Sequence, residues 1–151
     1  MNYLLDTNIL LIYSRNSDVA KRLQASYKLF GKENNLSVSI VTIGELDALI
    51  KKFNIGKKRQ KVINDMLSDI AVLKLTNKKI IQKYGDIDSF SQGKLNNKKS
   101  KFSARNMGKN DIWIAATASV YDLTLVTTDK DFNHLDGEYI NLEYVDMEQF
   151  R

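Results

Sequence analysis

Leu4-Leu5-Asp6-Thr7-Asn8-Ile9-Leu10 is the stretch whose reading decides the fold. A short apolar run opens at Tyr3, meets one carboxylate, and resumes with helical spacing. That pattern reads as a buried strand that ends, followed by a helix that begins. Asp6 then stands at the carboxyl end of the first strand, and in open α/β sheets that edge is where ligands bind.

Working outward, Leu36 to Val41 alternates and is β-branched, which predicts a second strand. Ala71 to Leu75, Thr124 to Thr128 and Asn141 to Val145 give three more. Between them lie helical patterns. Ile9 to Tyr13 is a short helix, and Val19, Leu23, Tyr27 and Phe30 mark one face of the next. Thr42 and Glu45 match a capping box for a helix with the stripe Ile43, Leu46, Leu49, Ile50 and Phe53. Lys58 to Ile70 is amphipathic, and Thr76 opens a helix to about Tyr84. Asn110-Asp111 starts a helix over Ile112 to Tyr121 that is apolar nearly all round, hence buried. Phe132 to Leu135 is a short turn or helix. Gly85 to Met107 is polar and basic, with Phe90, Leu95 and Phe102 as its few anchors, and reads as a helix continuation, a loop, or both. Strands alternating with helices imply βαβ units and a mainly parallel sheet covered on both faces.

Length and composition bound the rest. The chain has 151 residues, enough for one domain, 1–151, with a real core. No apolar run reaches the roughly 18 residues that would span a membrane, and no basic region precedes the first apolar run, so no signal peptide is expected. The sequence has no cysteine, which excludes disulfides, thiolate nucleophiles and Cys-type zinc sites and fits a reducing cytosol. The formal net charge is +5 and the pI about 9.3, which predicts attraction to polyanions. Two runs carry that charge without any acid. One holds Lys51, Lys52, Lys57, Lys58, Arg59 and Lys61. The other holds Lys94, Lys98, Lys99, Lys101, Arg105 and Lys109. Either alone is explained by a solvated face; two beside a carboxylate cluster point to nucleic acid.

The carboxylates are Asp6, Glu45, Asp111 and Asp129. Each has a local structural explanation as a cap or first-turn residue. Their positions add something that capping does not explain. Asp6 and Asp129 each end a strand, and Glu45 and Asp111 each sit in the first turn of a helix leaving the same edge. Two like charges 4 Å apart repel by about 4 kcal/mol at an effective dielectric of 20, so such a cluster persists only when protons or cations neutralise it. All-oxygen donors suit hard cations, Mg²⁺ or Mn²⁺. Such an ion polarises a phosphoryl oxygen and activates water. The sole histidine, His134, is expected at the surface or half-buried in a turn.

Four segments together resemble the PIN-domain ribonucleases, and most of all the VapC toxins of bacterial toxin–antitoxin pairs. They are Leu5-Asp6-Thr7-Asn8-Ile9-Leu10, Gly44-Glu45-Leu46, Asn110-Asp111 followed by Ile112-Trp113-Ile114-Ala115-Ala116, and Val126-Thr127-Thr128-Asp129-Lys130-Asp131-Phe132. The likeness runs through the chain in the family's order. It implies a three-layer α/β/α sandwich and Mg²⁺- or Mn²⁺-dependent endoribonuclease activity. It carries metal-ligand roles onto Asp6, Glu45, Asp111 and Asp129, and supporting polar roles onto Asn8, Asn110 and Thr127. It also implies a homodimer and inhibition by a small VapB-like antitoxin, in the cytoplasm. The Gly93 to Lys109 segment departs from the pattern, being longer and more basic. Two rivals fit less well. A haloacid-dehalogenase-like phosphatase needs a second Asp where Asn8 stands. A catalytically silent nucleic-acid-binding module explains the charge but not the shared edge of four acids.

Overall fold

β1 (Asn2–Leu5) lies at the centre of a five-stranded sheet whose strands all run parallel, in the order β3-β2-β1-β4-β5. The other strands are β2 (Asn35–Ser39), β3 (Ala71–Leu73), β4 (Thr124–Thr127) and β5 (Asn141–Tyr144). A computed structural model of the chain describes residues 1–150; the last residue of the expected 1–151 domain, Arg151, lies outside them.

The side-chain period of two explains the layers. Leu4 of β1 and Leu125 of β4 enter one core, with Ile80, Ile87, Phe90, Ile112, Ala115 and Phe132. Their neighbours Leu5 and Val126 enter the other, with Ile9, Leu23, Val38, Leu46 and Ile63. The first core is covered by α5 (Lys78–Ser91) and α6 (Lys109–Val120), and the second by α1 (Thr7–Ser14), α2 (Asp18–Tyr27) and α4 (Lys57–Leu67). α3 (Ile40–Lys52) contributes Leu46 to the second core and packs Val41 against the first. This is the three-layer α/β/α arrangement expected from the sequence. Among the described residues, no helix is long and apolar enough to cross a membrane.

Strand order positions the site. From β1 the chain steps to β2 and then β3 on one side, and later crosses to β4 and β5 on the other. The reversal leaves a crevice at the carboxyl ends of β1 and β4, the topological switch point of such sheets.

Several elements differ from the sequence reading. β2 stops at Ser39, whose hydroxyl caps α3 by accepting the Val41 N–H at 3.1 Å. Thr42 is therefore inside the helix and fully buried, not its cap, and Glu45 lies in the second turn. The cause is two hydroxyl residues three apart, with the β-branched pair Ile40-Val41 between them reading as strand. α5 runs on to Ser91, well past Tyr84, because Ile80, Ile87 and Phe90 anchor one face. Its Gly85 faces open space, so the helix bears only the roughly 1 kcal/mol that glycine costs. After Ser91 the chain is irregular until Gly108 precedes α6. A 3-10 helix, Lys130–Leu135, follows β4.

Candidate active site

Asp6 ends β1 and caps α1. Its Oδ1 accepts the Thr7 N–H at 2.8 Å and its Oδ2 accepts the Thr127 hydroxyl at 2.7 Å. The residue is only 5% exposed. Burial pushes its carboxyl above the usual range against those two hydrogen bonds, and the nearby charges of Glu45 and Asp129 push it further. Each carboxylate oxygen keeps a free lone pair.

Thr127 links two acids. It donates to Asp6 and accepts the Asp129 N–H at 3.0 Å. Asp129 in turn caps the 3-10 helix, accepting the Asp131 N–H at 2.9 Å. Thr7, the first residue of α1, donates its hydroxyl to Glu45 Oε1 at 2.8 Å and lies 3.3 Å from the Thr42 hydroxyl. Threonines at the starts and ends of elements thus hold the carboxylates that the sheet edge gathers.

Asp111 stands in the first turn of α6. Burial raises its carboxyl to about 7, helped by the charges of Asp6, Asp129, Glu45 and Asp131. All four acids expected from the sequence therefore meet at one edge, and Asp131 joins them. Oxygens of Asp111, Asp129 and Asp131 lie within 4.8 Å of one another. Sequence reasoning passed over Asp131. The available signal was its spacing, since two residues on from an acid at a strand end is a turn position facing the same edge. The donor set contains no imidazole or thiol, and burial, helped by the neighbouring carboxylates, raises one member, Asp111, to about 7. Both properties fit a hard divalent cation.

Asn110 is exposed at the rim and lines two clefts, of about 410 Å³ and 430 Å³, each of which also includes Glu45. Asn8 is exposed, and its side chain makes no hydrogen bond among the described residues. The basic residues of the second run divide. Lys98 donates to the Glu138 carbonyl at 2.8 Å, pairs with its carboxylate at 3.5 Å, and sits 4.2 Å from the Tyr139 ring centre. The Arg105 guanidinium stacks 5.8 Å from the Phe102 ring, and its backbone N–H donates to the Ser91 carbonyl. These two hold their segment to the body. Lys94, Lys99, Lys101 and Lys109 are exposed.

His134 is buried, at 2% exposure, against the expectation of a surface or half-buried turn residue. Its Nε2 is hydrogen-bonded to the Ser91 hydroxyl at 2.6 Å, and its ring stacks on Phe90. Burial, together with the nearby Arg105 charge, pulls its pKa down, so the imidazole is neutral. The 3-10 helix that carries Asp131 is thereby fastened to the end of α5.

A parallel sheet with a carboxylate cluster at its switch point defines a class of metal-site α/β domains, and the sequence narrows it. Residues 3–138 match the PIN domain family, and the chain belongs to that family of nucleases. Solved structures narrow it further. A chain of VapBC2 from Rickettsia felis, bound to a DNA fragment from their promoter, superposes with a TM-score of 0.71 at 25% identity, covering 97% of this chain and 100% of that one. VapBC-1 from nontypeable Haemophilus influenzae gives 0.66 at 25% identity, covering 95% and 98%. FitAB bound to an IR36 DNA fragment shares the fold, at 0.62 and 18% identity, covering 95% and 94%. No curated protein sequence matches the chain.

Proposed function

We propose that the chain is a divalent-cation-dependent endoribonuclease, the toxin of a toxin–antitoxin pair that acts in the cytoplasm. The observation that carries this reading is the convergence of Asp6, Glu45, Asp111, Asp129 and Asp131 at the switch point of a PIN fold. Asp6, Glu45, Asp111 and Asp129 would hold Mg²⁺ or Mn²⁺, with Asp131 adding a further oxygen. A cation held there would polarise the phosphodiester and would make water a competent nucleophile at neutral pH.

The protein's own residues do the positioning. Thr127 and the Thr7 N–H fix both oxygens of Asp6, and Thr7 fixes Glu45. Asp111 would hold the cation as a carboxylate beside Asp129 and Asp131. Asn8 and Asn110 offer polar contacts at the rim, and the exposed lysines Lys94, Lys99, Lys101 and Lys109 meet phosphate. Lys98 and Arg105 act one step back, by shaping the segment that presents them. The resemblance to VapBC complexes supports a small antitoxin partner; an arm of that partner entering the acid edge, and a homodimer, complete the proposed reading.

The test uses a mixed-sequence RNA with and without cation. Wild type cleaves with Mg²⁺ or Mn²⁺, stops in EDTA, and leaves 5′-phosphate ends, since attack by water needs no neighbouring 2′-hydroxyl. Asp6→Asn keeps an acceptor for Thr7 and loses about 100-fold in rate, equivalent to ~2.7 kcal/mol of barrier. Ends carrying 2′,3′-cyclic phosphate, or undiminished cleavage in EDTA, sink this mechanism.

A further inference from the structure

Phe53 is the most exposed large hydrophobic side chain, at 72%, and it stands where α3 gives way to α4. The residues around it in sequence find burial: Ile50 packs against the core and Ile55 is half-buried. Phe53 is turned out to solvent, with Lys51-Lys52 just before it in the chain and Lys57-Lys58-Arg59 just after it. Of the first basic run, Lys51 pairs with Asp47, Lys61 pairs with Asp65, and Arg59 donates to the Ser14 hydroxyl and the Leu11 carbonyl. Lys52, Lys57 and Lys58 are exposed and form no ion pair among the described residues. Lys57 and Lys58 occupy the first turn of α4, where positive charge opposes the helix macrodipole. Helix stability does not explain them there.

This patch is continuous with the acid edge. Glu45, Ala48, Leu49 and Lys52 follow one another at helical spacing along α3, and all four line the same 410 Å³ cleft with Asn110. The cleft runs from a carboxylate of the site to the lysine beside Phe53. Seven residues of helix cover about 10 Å.

We propose that Phe53 is a stacking platform for a base of single-stranded RNA, with Lys52, Lys57 and Lys58 holding the phosphates that flank it. The proposal rests on the ribonuclease reading and names the form of substrate. An aromatic face turned out among unpaired cations is the arrangement by which proteins hold unpaired strands, because every base offers a face and the backbone is anionic. In a duplex those faces are already stacked. The site therefore engages RNA that is single-stranded on the α3 side of the cut, and a helical substrate must open before it seats.

The test is fluorescence anisotropy with a labelled ten-nucleotide RNA, single-stranded or annealed to its complement, in EDTA so that nothing is cut. The proteins are wild type, Phe53→Ala, Phe53→Trp and the triple variant Lys52→Gln, Lys57→Gln, Lys58→Gln. Phe53 is exposed, so its variants fold, which circular dichroism verifies. Phe53→Ala binds the single strand about tenfold or more weakly, Phe53→Trp restores affinity, and duplex affinity does not move. The triple variant flattens the log–log salt dependence of single-strand binding by about 2. Equal single-strand affinity of wild type and Phe53→Ala overturns the proposal while leaving the ribonuclease reading intact if wild type still cleaves RNA. Wild type that neither binds nor cleaves any RNA overturns both. A Phe53→Ala protein with full RNA affinity but altered sedimentation, alone or with a co-expressed partner, makes the patch a protein contact and also overturns it.

Discussion

Asp111 shows how one side chain ties stability to chemistry. Its carboxyl would ionise near 3.8 in an unfolded chain and is held at about 7 in the fold, chiefly by burial. Below the lower value both states hold the proton and folding is indifferent. Between the two, the unfolded state has released its proton while the folded state has not, so stability falls as pH rises, and above about 7 the loss is complete. The raised carboxyl of Asp6 adds in the same direction. In EDTA, wild type therefore melts at progressively lower temperature from about pH 4 to pH 7. Asp111→Asn carries no charge, melts above wild type at pH 8, and shows a shallower slope. Mn²⁺ narrows the difference, because a cation removes the repulsion that the substitution removes. A variant melting no higher than wild type at pH 8 in EDTA would show that the fold does not penalise the ionised Asp111.

At the scale of elements, what the sequence showed and what it hid have separate causes. The ends of β1 and β4 were legible because an apolar run stops at a carboxylate, and the buried α6 because alanine and isoleucine leave it no polar face. The start of α3 was not, since Ser39 and Thr42 both have cap chemistry and only the sheet register chooses between them. The extent of α5 was hidden by Gly85 and by a polar composition whose anchors lie a turn or more apart. The anchoring of Lys98 by Glu138 joins residues 40 apart, and no local pattern encodes it. Asp131 was missed because periodicity reports what faces the core, not which solvent-side carboxylates converge. His134 was misjudged for the same reason: its partner Ser91 is 43 residues away. That pair is testable. Ser91→Ala leaves a buried imidazole nitrogen without its partner, at a cost of about 1–3 kcal/mol, or roughly 2–12 °C in melting temperature. The 3-10 helix it released carries Asp131, so Mn²⁺ affinity falls as well. Unchanged melting and unchanged Mn²⁺ titration would show that α5 does not hold the turn.

For the whole molecule, charge is divided by function. A net charge of +5 coexists with a negative edge, so the surface attracts a polyanion that the edge repels unless a cation is present. On the proposed reading, cation and substrate would load together, and control would act on access. An antitoxin arm that ends in arginine would pair bidentately with Asp6 or Asp111. Co-expression with a small partner of that kind is expected to yield a co-purifying complex with cleavage suppressed at least tenfold, and Arg→Ala in the arm to restore it. A complex that forms and still cuts RNA excludes occupation of the acid edge. The strand order has one further consequence, in time and not in space. β1 is the central strand and the first made, yet one of its two neighbours is β4, and the hydroxyl that fixes Asp6 comes from a residue 121 positions later. Domains fold as units during synthesis, and this one lacks half of its central pairing until residues 124–131 have left the ribosome. On the proposed reading, a translating ribosome, itself an assembly of RNA, would not meet a completed acid edge on its own nascent chain, because the edge comes together only after the segment that completes it has been released from the exit tunnel.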